Sequence, residues 1–298
     1  MKIGRNILSL IGNTPIVKIN NLKPKSEDIN IYAKLEGNNP GGSIKDRIAL
    51  KMITQAEEEG ALSKEKTIIE PTSGNTGIAM AMIGAVKGYK VEIVMSEDVS
   101  KERRKVIKGF GGKIILTSGD MGTDGSIIRA RELVEKNPDK YFFPDQFSNK
   151  YNKLAHYETT AKEIIEQMDC KIDYFVSAIG TSGTIMGVGK FLKECYSDVK
   201  IVCAHPVKGH YIQGLKNMEE AIVPSIYDPN KIDETIMVET KDAFEMTRQL
   251  AKKEGIFAGM SSGAAMLAAI KTAKNICEGN IVTIFPDRGD RYLSTDLF

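Results

Sequence analysis

From residue 31 almost to the end of the chain, short β-branched runs alternate with longer amphipathic stretches. That rhythm is what parallel strands joined by crossover helices require, because each crossover must cover one face of a sheet. The fold class is therefore α/β. Strands are predicted at Ile31 to Leu35, Thr67 to Glu70, Val91 to Met95, Lys113 to Thr117, Asp173 to Ile179, Lys200 to Ala204, Glu234 to Val238 and Ile281 to Phe285. Helices fill the gaps at roughly 43–59, 75–87, 100–110, 123–136, 152–168, 183–195, 241–254 and 262–275. Pro144 and the polar segment Asp145 to Asn152 interrupt the alternation and mark a passage between two lobes. No internal repeat or low-complexity tract breaks it elsewhere. Residues 205–232 form the one long stretch without clear periodicity, and a loop of that length in a compact enzyme is more often functional than accidental.

A chain of 298 residues is long enough for about two domains, burying roughly three quarters of its unfolded surface. Hydrophobic residues at 42% and charged residues at 27% are ordinary globular usage, and no apolar run approaches the roughly 18 residues of a membrane span. Membrane, collagen-like and disordered classes drop out. Forty-one Lys and Arg against 39 Asp and Glu are interspersed, so no basic face invites nucleic acid and the expected ligand is small. Cys170, Cys195, Cys203 and Cys277 form no C-x-x-C pair, and MKIGRNILSL has neither a long apolar core nor a small-residue cleavage site. The expectation is a reduced, cytoplasmic protein.

Three turns concentrate glycine and hydroxyl residues just before a helix, the first two of them after a predicted strand. In the segment from Ser177 to Gly187, glycines let the backbone approach an anion, and the first helix N–H groups lack internal partners. Thr181, Ser182 and Thr184 add hydroxyls, so a phosphate could be held without Lys or Arg. The same letters also suit a simply capped turn. The Walker pattern is absent, and no G-x-G-x-x-G opens the first βα unit. The turn Glu70 to Gly77 places four hydrogen-bonding side chains within five residues and suits a carboxylate, or only a capped helix start. Gly259 to Ala264 again puts hydroxyls before an Ala-rich helix.

Asn38 to Arg47 is a loop feeding a helix whose first turn carries Lys45. Most lysines are solvated. One held at a helix N-terminus and partly desolvated has a lowered pKa and can form a Schiff base. Asp46 and Arg47 are read as structural.

Taken together, IGNTPIV (11–17), NNPGGSIKDR (38–47), EPTSGNTG (70–77), DQFSN (145–149), GTSGT (180–184), GMSSGA (259–264) and DRGDRYLST (287–295) closely resemble the cysteine synthase (O-acetylserine sulfhydrylase) family. These are fold type II pyridoxal-phosphate enzymes, tryptophan synthase β-like, with two lobes each built on a mostly parallel sheet flanked by helices. DQF, Ser182 and DRGDRYLST look more like the B isozyme. The resemblance implies a small mobile lobe at 39–147 and a large lobe formed by 1–38 plus 148–298. It implies pyridoxal 5'-phosphate bound to Lys45, which also serves as general base at the substrate Cα. Gly180, Thr181, Ser182, Gly183 and Thr184 would cup the phosphate, Asn75 would meet the ring hydroxyl, and Ser261 the pyridine nitrogen. Thr72, Ser73, Thr76 and Gln146 would receive the substrate carboxylate. A serine cannot hold a charged pyridinium as an aspartate would, which weakens the electron sink and favours elimination across Cα–Cβ. The implied activity is ping-pong β-replacement, O-acetylserine plus sulfide giving cysteine and acetate, by a homodimer.

The stretch from His205 to Met218 departs from the family, which carries an arginine-bearing I-P-G-I-R-R-W-like segment in its B isozymes. His210 and Lys216 are candidates for contact with an anionic leaving group or nucleophile, or are solvated loop residues. Asp233 lies near them in sequence. A carboxylate or imidazole there could position water at Cβ and turn the enzyme into a cysteine lyase that releases hydrogen sulfide and forms serine. A catalytically idle binding or regulatory protein is the reading from another class, opposed by the presence of Lys45, Asn75 and Ser261.

Overall fold

The computed structural model describes residues 3–298. In chain order its elements are β1 (Ile16–Ile19), β2 (Ile29–Leu35), α1 (Lys45–Glu58), β3 (Thr67–Pro71), α2 (Asn75–Lys87), β4 (Lys90–Ser96), α3 (Lys101–Gly109), β5 (Lys113–Thr117), α4 (Gly122–Lys136) and β6 (Tyr141–Phe142). There follow α5 (Lys150–Ala155), α6 (Ala161–Gln167), β7 (Tyr174–Ala178), α7 (Gly183–Cys195), β8 (Lys200–Pro206), β9 (Glu234–Val238), α8 (Thr240–Gln249), α9 (Met260–Lys274) and β10 (Gly279–Phe285).

Two sheets result. One has the order β1-β2-β10-β7-β8-β9 and the other β5-β4-β3-β6. All pairings are parallel except β1 with β2. Helices cover both faces of each sheet, as parallel strands with two buried faces demand. On the six-stranded sheet, Ala264, Ala268 and Ala269 of α9 pack on one face, and Ile164, Ile185 and Leu192 of α6 and α7 on the other. On the four-stranded sheet, Ile48, Met52, Ile78 and Ile107 of α1 to α3 pack against Ile68 and Ile93, while Ala130 of α4 meets Ile69 and Val94 opposite.

The sequence reading placed eight strands and missed two. β1 is a four-residue antiparallel edge strand, IVKI, and β6 is two residues long. Both owe their conformation to a neighbouring strand rather than to local pattern. The helix expected at 152–168 starts at Lys150 and contains a π segment at His156–Thr160, and the helix expected at 241–254 ends in a second at Leu250–Glu254.

Asp46 and Arg47 are buried, as the structural reading supposed. Arg47 grips both oxygens of Glu36 at 2.7 and 2.8 Å and those of Glu163 at 2.6 and 2.7 Å, and Lys34 meets Glu163 at 2.7 Å. Thr14 completes the cluster, donating to Glu36 at 2.6 Å. Two cations face two carboxylates, tying the residues around Thr14 to β2, α1 and α6. None of the described helices is long and apolar enough to cross a membrane.

Candidate active site

The C-terminal ends of β3 and β7 open into the same cleft, the usual place for a ligand in open α/β sheets. After β7 the chain turns through Gly180 and Thr181 to Ser182, whose φ of 67° is one that L-residues seldom adopt, and α7 begins at Gly183. Two glycines are required by close approach. A Cβ on Gly180 would lie 2.3 Å from the carbonyl oxygen of Gly214, and one on Gly183 would lie 1.9 Å from Asn152 Oδ1. The Ser182 hydroxyl is buried with no hydrogen-bond partner. An unpaired buried hydroxyl costs about 1–3 kcal/mol, so its place beside the free N–H groups of a helix start fits an anion.

After β3 the chain turns through Thr72, Ser73 and Gly74, and α2 starts at Asn75. Thr72 Oγ1 accepts from the Gly74 N–H at 2.9 Å, which shapes the turn. Thr76 donates to Gln146 Oε1 at 2.6 Å, and Gln146 Nε2 donates to the Pro71 carbonyl at 2.9 Å. Gln146 is thereby fixed over the turn. Its backbone N–H donates to Glu70 at 3.1 Å, and burial pushes the Glu70 carboxyl well above the usual range. That shift favours the uncharged carboxyl and so lessens repulsion of a carboxylate arriving at this turn.

Lys45 is the first residue of α1, where Ser43 Oγ accepts from its backbone N–H at 3.3 Å. Burial lowers its ammonium pKa to about 8, with Asp287 pulling the other way. A lysine so placed is an amine available for carbonyl chemistry near neutral pH. Ser261 enters the cleft from the first turn of α9.

Lys45, Thr72, Ser73, Asn75, Thr76, Gln146, Gly180 to Thr184, Lys216 and Ser261 all line this one cleft. The structure does not bring His210 and Asp233 there. His210 Nδ1 accepts from the backbone N–H of Thr240 at 3.0 Å, capping α8, and Asp233 pairs with Lys193 at 2.8 Å and accepts from the Ile201 N–H at 2.7 Å. Helix capping and an ion pair at the β8–β9 connection occupy these side chains. Lys216 does reach the mouth, pairing with Asp124 at 2.5 Å and lying 4.8 Å from the Phe147 ring.

Several residues around the cleft escaped the sequence reading. Asp287 Oδ2 accepts from Asn75 Nδ2 at 2.6 Å, from Tyr292 at 2.7 Å and from Arg103 at 3.3 Å. Arg291 donates to Asn75 Oδ1 and to the Gly41 carbonyl. Asn75 is thus held at both ends of its amide. Arg103 also reaches Gln213 and the Ser73 carbonyl, at 3.1 Å for the latter, and its guanidinium carbon lies 4.6 Å over the Tyr292 ring. His156, buried under the cup, is kept neutral by burial and by the charges of Lys45 and Arg47. DRGDRYLST held the only sequence signal for any of these, and it came through resemblance rather than pattern.

The donor set suits pyridoxal phosphate. Among the described residues Lys45 and Lys216 are the only charged side chains lining the cleft, a phosphate-sized anion has the Ser182 hydroxyl and the start of α7, and Ser261 presents a hydroxyl instead of a carboxylate.

Comparison with known proteins places this geometry. The family profile described as "Pyridoxal-phosphate dependent enzyme" matches residues 7–287. Cysteine synthase of Aquifex aeolicus is 48% identical, over 100% of this chain and 93% of the relative. Cysteine synthase B of Escherichia coli is 43% identical, over 97% of this chain and 94% of the relative. The crystal structure of a hydrogen sulfide-producing enzyme from Fusobacterium nucleatum superposes with a TM-score of 0.92 at 44% identity, covering 98% of this chain and 100% of that one. The two-sheet architecture, the cleft and these relatives together establish that the chain belongs to the pyridoxal-phosphate-dependent enzymes of fold type II, within the cysteine synthase group.

Proposed function

We propose that the protein replaces the β-substituent of an amino acid, with O-acetylserine and sulfide as substrates and cysteine and acetate as products. The observation that carries this reading is the meeting of a lysine of depressed pKa, a hydroxyl-lined helix start and a carboxylate-binding turn in one cleft. When bound, pyridoxal phosphate supplies an electron sink that acidifies the substrate Cα–H. Lys45 would anchor it and then, as the free amine, take the Cα proton. Gly180 to Thr184 would hold its phosphate and Asn75 its ring hydroxyl, the amide being oriented by Asp287 and Arg291. Ser261 would face the ring nitrogen without a negative charge, which limits charge build-up at Cα and favours loss of the Cβ leaving group.

Thr72, Ser73, Thr76 and Gln146 would bind the substrate carboxylate. That capture would draw the small lobe, residues 39–147, onto the large one and exclude water from the reacting Cβ. Polar contacts join the two lobes: Lys216 to Asp124 at the mouth, the exposed Ser294 to Glu102 at 2.7 Å, and the buried pair Arg103 to Asp287. By the same resemblance the working unit is a cytoplasmic homodimer.

The Fusobacterium relative favours a second reading, in which cysteine enters and hydrogen sulfide leaves. Neither His210 nor Asp233 lines the cleft, so hydration at Cβ would have to draw on another group. One assay separates the readings. Cysteine formed from O-acetylserine and sulfide, and abolished in Lys45→Ala, is the expected result. Sustained sulfide release from cysteine alone, without cysteine synthesis, would replace it with the lyase.

A further inference from the structure

The phosphate cup and the carboxylate turn follow strands of different sheets, yet one short helix touches both. α5 starts directly after the segment that carries Gln146, with Asn149 Oδ1 capping it by accepting from the Tyr151 N–H at 2.9 Å. One turn in, Asn152 is fully buried. Its Nδ2 donates to the main-chain carbonyl of Gln146 at 2.7 Å and to Thr181 Oγ1 at 3.0 Å. Four residues on and along the same helix face, His156 Nε2 lies 3.3 Å from Thr184 Oγ1.

The hydrogen count gives this contact a direction. A carboxamide nitrogen has two hydrogens, and both are used here. Thr181 therefore accepts from Asn152, which leaves the hydroxyl's own hydrogen for another acceptor. An anion seated on the cup is acceptor-only and can take it. Asn152 Oδ1 is buried without a partner against the first residue of α7, where only a glycine fits. Asn152 is thus held between Gln146 and the cup while touching the cleft through neither of its own ends.

We propose that Asn152 is a positioning residue that couples the two halves of the site. An anion on the cup orders the Thr181 hydroxyl, that hydroxyl fixes the Asn152 amide, and the amide fixes the backbone of Gln146, whose side-chain Oε1 accepts from Thr76. Carboxylate binding at the turn must then tighten the cup by the same factor, since coupling is reciprocal. The inference rests on the reading of the cleft given above and adds a route between its parts.

The test uses the holoenzyme with L-serine, an amino acid with a poor leaving group. Binding is followed by the cofactor's visible absorption, and the cup by the phosphorus-31 resonance of the bound phosphate. In the wild type both change. In Asn152→Ala the phosphorus response to saturating L-serine is expected to shrink about threefold or more and the affinity for L-serine to fall about fivefold, in the range of ordinary coupling factors. Thr181→Val, which removes only the hydroxyl, should do the same and supplies the result if Asn152→Ala does not fold. The double variant should be no worse than the worse single one, because both cut one connection. An unaltered phosphorus response in variants that still show the absorption change, or losses that add, would overturn the coupling alone. No absorption change in the wild type would overturn the reading of the cleft and the coupling with it.

Discussion

The charge cluster around Arg47 and the one around Arg103 are both buried, but they differ in saturation. At Arg47 two cations meet two carboxylates and every guanidinium nitrogen has a partner. At Arg103 the single carboxylate of Asp287 takes Arg103, Asn75 and Tyr292, while a second guanidinium, Arg291, bonds to Asn75 and the Gly41 carbonyl instead of to a carboxylate. Arg103 Nε, Asp287 Oδ1 and the nearby Asp46 Oδ1 are buried without partners. The first cluster also crosses between the lobes, from Arg47 on α1 to Lys34, Glu36 and Glu163, but with every partner supplied it has the bonding of a fixed joint. The second spans the two sheets beside Lys45 and Asn75. A saturated network gives rigidity, and an unsaturated one marks where a ligand or a movement completes the bonding.

Breaking the saturated cluster should cost the most stability. Arg47→Ala strands Glu36 and Glu163 in a dry interior, and breaking a buried pair in this way costs about 3–5 kcal/mol. Urea denaturation should show that loss in the midpoint. A variant of unchanged midpoint would mean that the cluster is not closed as described. Asp287→Asn should cost function as well as stability. It leaves Arg103 a buried cation without its counter-charge, towards the lower end of about 3–5 kcal/mol because the amide still accepts hydrogen bonds, and a misplaced Asn75 should lower kcat roughly hundredfold.

The two clusters should also respond to pH with opposite sign. Burial works against ionised Glu163, yet Arg47 and Lys34 hold its carboxyl down to about 2, below its ordinary 4.5. Its contribution is present above pH 4.5 and is lost as pH falls towards 2. Asp46 lies the other way. Burial raises it to about 7 from 3.8, so its contribution is full below pH 3.8 and is lost as pH rises through 7. Asp46→Asn should flatten the stability profile between these limits, and Glu163→Gln should flatten only the acid limb. The smallest effect belongs to the mouth, where Lys216 and Asp124 are only partly dry. Asp124→Asn should cost about 1 kcal/mol or less in thermal unfolding.

The same contrast explains what could be read from the sequence. Gly180 to Thr184 and Thr72 to Thr76 were legible because a strand, glycine, hydroxyls and an apolar helix stand in succession, and Ser261 because hydroxyls follow a glycine before an Ala-rich helix. Lys45 was legible for its place at a helix start. Asn152, His156, Arg103 and Asp287 were not, since their partners lie far along the chain: Arg103 meets Asp287 across 184 positions, and Asn152 meets Thr181 across 29. Arg103 sits in KERRK, where nothing separates the one buried arginine from its solvated neighbours. His210 and Asp233 were singled out with Lys216 in or near an unmatched stretch, but of these three only Lys216 lines the cleft, beside Tyr211, Gln213 and Leu215.

The most direct test of the account is to reduce the purified holoenzyme with borohydride, digest it and locate the pyridoxyl group by mass spectrometry. The account predicts it on Lys45. A label on another lysine, or none on a protein loaded with the cofactor, would contradict the site described here.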